Sequence, residues 1–320
     1  MTAAARTVAR LVAFAATLAL VPSAPTRATE AREDAGAVQV QVRYEDDADG
    51  LGGLLARGGM LHDYASPRDY AGWAVQATHY AQDRWREDVV GVMGLYRNQR
   101  GPALEGVQAE AGLVSVDGKV RPVGDVTWRL QPRESTGVEL IVAGDLVGTR
   151  AALERAISYG LAAAGLEQRL GDRWTAIALA GWQPFTDGNA RTLLRGRVIY
   201  ALAPQQGLSA QVRWRQFASR DDDVDGAYFN PGRYRTWDAG LAWRRRVRGW
   251  TLAGHAGAGR ERIDERPSQA TGVAEFRAEG PVGQGSVVAF GLLYSRAAGF
   301  NTAPDYWYGA LNVSVTVPLH

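Results

Sequence analysis

VQVQVRY at residues 38–44 and WYGALNVSVTV at residues 307–317 alternate two kinds of side chain with a period of two. Successive side chains of an extended strand point to opposite sides, so Val38, Val40, Val42 and Tyr44 share one face while Gln39, Gln41 and Arg43 share the other. One face is apolar and the other is wet. The pattern recurs inside the chain. QVRWRQF at 211–217 sets Val212 and Trp214 against Gln211, Arg213 and Arg215, and residues 194–202 set Leu194, Val198, Tyr200 and Leu202 against Arg195 and Arg197. A soluble sandwich alternates in the same way, with its apolar face turned inward. Three features favour a barrel turned the other way, apolar side out. The segments exceed the usual five or six residues, glycine is frequent at 38 residues, and 10 Trp accompany 12 Tyr. Trp73, Tyr80, Trp85, Tyr96, Trp174, Trp182, Trp237, Trp250 and Trp307 fall near segment ends, where the two interfacial girdles of a membrane barrel belong. The predicted fold is all-β, an antiparallel transmembrane β-barrel of 14–16 strands of the outer-membrane type.

Composition agrees with that reading. Residues 1–28 have the basic start (Arg6, Arg10), apolar run (11–21) and small-residue end of a cleavable signal peptide, with Thr26 and Ala28 set for a cut after Ala28. The run is about half of the ~20 residues a helix needs to cross a bilayer. No later stretch approaches that length, and the mean hydropathy of −0.22 is what a barrel with a polar lumen face gives. With 0 Cys, disulfides, thiolate metal sites, a cysteine nucleophile and a lipoprotein anchor are excluded together. A net charge of +2, from 36 basic and 34 acidic residues, gives no reason to expect a nucleic-acid partner.

Turn residues such as Asp117-Gly118, Gly171-Asp172 and the stretch 204–207 divide the chain into about fifteen segments of roughly 10 to 14 residues. Single-chain bacterial barrels have even strand numbers, so one segment is miscounted, near 50–69 or 150–156. Residues 29–69 are expected to hold the first strand and a long loop, and residues 70–320 the main body of the barrel. With both termini periplasmic, 171–172, 204–206, 247–248 and 282–285 fall on the periplasmic side, and the longer 219–232, 263–268 and 298–305 fall outside. Outer-membrane barrels commonly finish on an aromatic residue read by the barrel-assembly machinery, whereas this sequence finishes Val317-Pro318-Leu319-His320.

The most distinctive local sequences are FTDGNAR at 185–191 and YFNPGRY at 228–234. Turn chemistry accounts for Asp187-Gly188-Asn189 and for Asn230-Pro231-Gly232; a lumen role for Arg191 or Arg233 is the alternative. With these D-G-N-x-R and Y-F-x-P segments before late strands, residues 150–320 resemble the C-terminal barrels of exopolysaccharide-export outer-membrane proteins, of the poly-N-acetylglucosamine porin and cellulose-export type. The resemblance implies a polysaccharide as cargo. Members of that family carry tetratricopeptide repeats before the barrel and none is read ahead of Tyr70, so the periplasmic scaffold is expected as a separate partner protein.

Asp221, Asp223, Asp225 and Gly226 match the opening of a calcium loop, but Gly232 stands where the bidentate glutamate belongs, which excludes an EF-hand. What remains is a surface contact to a divalent cation bridging lipopolysaccharide phosphates, or a solvated acidic loop. The run Glu45, Asp47, Asp49, Gly50 is a weaker version. For catalysis the chain offers His62, His79, His255 and His320, and His255, which follows Gly254 and is expected on an inward face, suits a lining role better than that of a general base. No cofactor and no enzymatic activity are expected. The candidate pore-lining residues are Arg191, Arg195, Arg197, Arg213, Arg215, Arg244 and Glu275, with Glu139, Glu167, Glu261 and Arg277 beside them. Paired, such charges form a plug; separated, they line a water-filled channel. The predicted function is a porin-like conduit for a polysaccharide or other hydrophilic solute, embedded in outer-membrane lipid and lipopolysaccharide. A non-conducting surface receptor or structural barrel, with partner-binding loops near 47–69 and 219–232, is the alternative, and an acyl-chain-modifying enzyme is a third reading.

Overall fold

A computed structural model describes residues 36–221, 223–283, 285–296 and 306–319; residues 1–28, read above as a signal peptide, the stretch 298–305 and His320 lie outside the described residues. Sixteen strands close one antiparallel barrel. They are β1 (Ala37–Asp47), β2 (Gly52–Ser66), β3 (Asp69–Gln82), β4 (Trp85–Arg100), β5 (Glu105–Val116), β6 (Lys119–Arg133), β7 (Thr136–Leu146), β8 (Ser158–Leu170), β9 (Trp174–Pro184), β10 (Ala190–Ala203), β11 (Leu208–Ser219), β12 (Arg233–Val247), β13 (Trp250–Ile263), β14 (Gln269–Val282), β15 (Ser286–Arg296) and β16 (Trp307–Pro318). The two decisive stretches of the sequence form the seam. β1 pairs with β16 from Ala37↔Pro318 to Asp47↔Tyr308, which leaves no strand edge unpaired in the ring.

We call the mouth that carries Ala37 and Pro318 proximal and the other distal. Proximal connections are short: 67–68, 101–104, 134–135, 171–173, 204–207, 248–249 and 283–285. The tight hairpins follow turn chemistry. Asp117 and Gly118 both have positive φ, 47° and 69°, as do Arg248 and Gly249, 49° and 84°, the geometry whose twist matches that of the flanking strands. The long connections 147–157 and 220–232 are both distal, and the first contains the helix α1 (Arg150–Glu154), capped by the Thr149 side chain accepting from the Ala152 N–H.

The strand missing from the sequence count is β2, so residues 52–66, expected as a long loop, are a strand, and the connection between β1 and β2 is only residues 48–51. The extra strand brings Ala37 to the same mouth as Pro318. Residues 150–156, the other place named for the miscount, form no strand and hold the short helix.

Alternation sorts the faces as predicted. Val212, Val198 and Val142 are outward and 52%, 44% and 62% exposed, the mark of a lipid-facing surface. Outward rings form two bands, with Trp73, Tyr96, Trp128 and Trp174 toward the proximal ends of their strands and Trp182, Trp237 and Tyr294 toward the distal ends. Tyr80 and Trp85, expected in a girdle, point inward instead. They pack against an interior apolar cluster that includes Leu61, Met93, Leu95, Val114, Val116, Leu146 and Leu153. The barrel is therefore partly filled on its β2–β7 side, by its own strands and by Leu153 of α1.

Candidate functional site: an arginine-lined lumen

A cavity of about 900 Å³ occupies the side of the lumen walled by β6 to β14 and reaches the proximal turn 101–104. Nine arginines and three glutamates line it. Strand parity aims them inward. On β10 the inward positions include Arg195 and Arg197, on β11 Arg213 and Arg215, and on β12 Arg244 and Arg246, while Leu194, Val198, Val212 and Trp214 take the lipid side. Six of the seven predicted lining residues, Arg195, Arg197, Arg213, Arg215, Arg244 and Glu275, meet in this one cavity, joined by Glu139 and Glu167. The sequence had not singled out Arg68, Arg129, Arg169 and Arg246, which complete the wall. Parity was available for Arg129, Arg169 and Arg246, whereas Arg68 lies in the turn 67–68 and carried no such signal; Arg129 faces Glu139 across β6 and β7.

The charges are unevenly matched. Arg213 donates to Asp238 at 2.8 Å and to Glu275 at 3.1 Å, with Asp238 only 4% exposed. Arg129 stands 3.9 Å from both Glu139 and Glu167. These two arginines engage all three lining glutamates. Among the described residues, no carboxylate lies within ion-pair distance of Arg195, Arg197, Arg215, Arg244 or Arg246. His255 also faces inward, beside Glu275 on β14, with both ring nitrogens buried and without a hydrogen-bond partner among the described residues.

A second cavity of about 570 Å³ lies on the β1–β8 side and has the opposite character, with Glu45, Glu110, Asp125 and Asp145 against Arg43 and Arg57.

Arg191 is placed apart from the other six. It sits at the distal start of β10 in contact with the loop 220–232, and the two distinctive sequence segments meet around it. Its guanidinium lies 4.8 Å from the ring centroids of Phe185 and Phe217 and 5.2 Å from that of Tyr228. It donates to the Phe229 carbonyl and, at 3.2 Å, to Asn230 Oδ1. Asn189 Nδ2 donates to Asn230 Oδ1 at 2.9 Å and to the Tyr228 hydroxyl at 3.2 Å, and that hydroxyl donates to Asp187 Oδ2 at 2.8 Å. Burial, chiefly, and the hydrogen bond to Asp187 push the Tyr228 hydroxyl up to about 12. Phe185 and Tyr228 stack at 4.8 Å. Thr149 Oγ1 donates to the Ala227 carbonyl at 2.5 Å, and Val147, Ala152 and Ile157 complete the cluster. Three distal connections, 147–157, 185–189 and 220–232, are thus tied into one cap.

The remaining sequence candidates lie outside the proximal cavity. The Arg233 N–H donates to Asp264 Oδ1 at 2.7 Å, and Glu261 accepts from the Tyr234 hydroxyl at 2.7 Å. Asp221 and Asp223 each accept from the backbone N–H two residues on, and Asp225 pairs with Arg155 at 3.3 Å. No group of three or more His, Asp or Glu side chains suited to a metal ion forms among the described residues. Arg277 faces the lumen opposite Gly291 of β15.

No family model matches the sequence, and no curated protein matches it. Solved structures do match by shape. A structure described as a bacterial polysaccharide outer membrane secretin superposes with a TM-score of 0.64 at 11% identity, covering 91% of this chain and 100% of that one. Pseudomonas aeruginosa OpdQ matches with a TM-score of 0.46 at 12% identity over 91% and 100% of the two chains. OmpT of Vibrio cholerae matches with a TM-score of 0.41 at 10% identity over 92% and 100%. At these identities the likeness is one of architecture, and the architecture is that of the bacterial outer-membrane β-barrels.

Proposed function

We propose that the protein is a porin-like conduit in the bacterial outer membrane for a polysaccharide or another hydrophilic solute, with no covalent chemistry. The observation that carries this reading is the 900 Å³ proximal cavity, walled by charged side chains inside a ring of sixteen strands. Barrels of that size leave an aqueous interior unless something fills it. Here the filling is one-sided. Exposed guanidinium groups replace a solute's hydration by many weak hydrogen bonds, and weak repeated sites permit movement. The secretin-like barrel that shares this architecture is described as a polysaccharide protein, which suits the same cargo. In this reading the outward aromatic bands contact lipid and lipopolysaccharide, the strands are inserted by the barrel-assembly machinery, and a separate periplasmic scaffold delivers cargo to the proximal mouth.

Single-channel recording of the refolded mature chain in planar bilayers tests it. Stable conductance steps that an oligosaccharide blocks are expected; the absence of steps from protein shown to be folded and inserted overturns the open conduit. A second reading, a closed surface barrel, is favoured by the interlocked distal cap around Arg191. It predicts that Arg191→Ala converts a silent protein into a conducting one.

A further inference from the structure

We infer that the proximal cavity is a binding site for an acidic saccharide chain, one that carries carboxylate, sulfate or phosphate groups; the inference rests on the conduit reading for the saccharide and on the cavity itself for the charge. The whole chain carries only +2, yet nine of its 36 basic side chains converge on this cavity against three glutamates and the buried Asp238 behind Arg213. The excess is local, because the neighbouring cavity has four acidic groups to two basic ones. It is also concentrated. Arg195 lies directly opposite Arg215 and Arg197 directly opposite Arg213 on the same face of the sheet. Like charges in directly opposed positions destabilise a sheet. The two rungs lie two residues apart, about 6.6–6.8 Å along the strand.

The glutamates do not absorb this charge, since Arg129 and Arg213 already engage them. Arg213 Nη2 is buried and has no hydrogen-bond partner among the described residues. Arg195, Arg197, Arg215 and Arg244 are exposed to the cavity. Guanidinium groups match planar carboxylates and phosphates with paired donors, which a neutral sugar hydroxyl does not exploit. An acidic chain in the cavity relieves the repulsion between rungs, and a neutral one leaves it in place.

The test measures binding of tetragalacturonate and of maltotetraose to the folded full chain in detergent, alongside ion selectivity in planar bilayers. Tetragalacturonate is expected to bind at least about tenfold more tightly than maltotetraose, with affinity falling as salt rises, and the open channel is expected to favour chloride over potassium. The variant carrying Arg195→Gln, Arg197→Gln and Arg215→Gln loses that preference. The three Lys replacements retain part of it, and Arg262→Gln, whose side chain points out of the lumen, retains all of it. Equal affinity for the two sugars, or unchanged preference in a triple Gln variant with native strand content, overturns the inference. Acid-selective binding without conductance steps leaves the site standing and overturns the conduit. Conductance steps with potassium selectivity do the reverse.

Discussion

Arg197 of β10 and Arg213 of β11 face each other directly across the ladder, on the lumen side of the barrel. One rung toward the distal mouth, Arg195 and Arg215 do the same. The two rungs differ in how they are compensated. Arg213 holds two carboxylates, Asp238 and Glu275, whereas neither Arg195 nor Arg215 has a carboxylate within ion-pair distance among the described residues. A barrel selected for stability alone has no use for an uncompensated rung of this kind, so its cost is attributable to what the lumen binds.

That cost is measurable. Arg195→Gln or Arg215→Gln removes the opposed like charges and is expected to stabilise the barrel by about 0.2–1 kcal/mol, read as a higher urea midpoint in detergent. A lower midpoint in both variants shows that the rung is held by native contacts and is not repulsive.

The compensated rung behaves in the opposite way. Asp238 is 4% exposed and accepts from Arg213 Nε at 2.8 Å. Asp238→Asn leaves a half-satisfied buried guanidinium and costs about 3 kcal/mol. Adding Arg213→Gln to it restores part of the loss, and a double-mutant cycle gives the coupling directly. Additive effects of the two substitutions contradict the pairing.

The sequence made these faces legible because alternation is a local property. Val212, Arg213, Trp214 and Arg215 announce their sides without any knowledge of neighbours. The strand that escaped notice, GGLLARGGMLHDYAS at β2, lacks contrast for a physical reason. Its inward face carries Leu55, Gly59 and Leu61 with Arg57 as the one charge, and Leu61 joins the interior apolar cluster, so the two faces contrast weakly. The same filling drew Tyr80 and Trp85 inward, since WREDVVGVMGLY has apolar residues at both parities. Pairing was illegible for another reason. Arg213 finds Glu275 62 residues away, and Arg191 finds Asn230 39 residues away. No local spacing encodes such distances, and both are fixed only when the ring closes.

Arg191 ties two segments into one cap, so its removal loosens the loop 220–232. Three aromatic rings within 5.2 Å, and hydrogen bonds to Phe229 and Asn230, are lost in Arg191→Ala. Cation–π contacts contribute about 0.5–1 kcal/mol each when partly exposed. Limited proteolysis is expected to cut within 220–232 at least several-fold faster than in the native chain, while the strands stay intact. An unchanged cleavage rate contradicts the clamp.

The outward face is tested by charge. Val142 sits mid-strand in β7, outward and 62% exposed. In a bilayer, Val142→Arg is expected to cost about 2–4 kcal/mol, the value for a cation near the midplane of a barrel's lipid face. The same substitution in the lipid interface, at Val247 near the end of β12, costs less than about 1 kcal/mol. Equal costs at the two positions are incompatible with a membrane centred on the barrel waist.

The cap also carries a pH dependence, and its sign follows from the Tyr228 hydroxyl. Burial and the hydrogen bond it donates to Asp187 favour the neutral phenol, raising it to about 12 from an ordinary value near 10. A group raised in the folded state contributes its full stabilisation below the unfolded value, so the cap is unaffected up to about pH 10. Above that the contribution falls, and it is gone once pH passes about 12, when the phenolate faces the Asp187 carboxylate across 2.8 Å. The amount at stake is on the order of 2 kcal/mol. Channel recordings between pH 9 and 12 are expected to show loop-type flicker growing through that window in the native chain. In Tyr228→Phe, which has no proton to lose and no bond to Asp187, flicker is already raised at pH 9 and shows no further change from this group. A native chain whose flicker is constant to pH 12 shows that Tyr228 does not hold the cap.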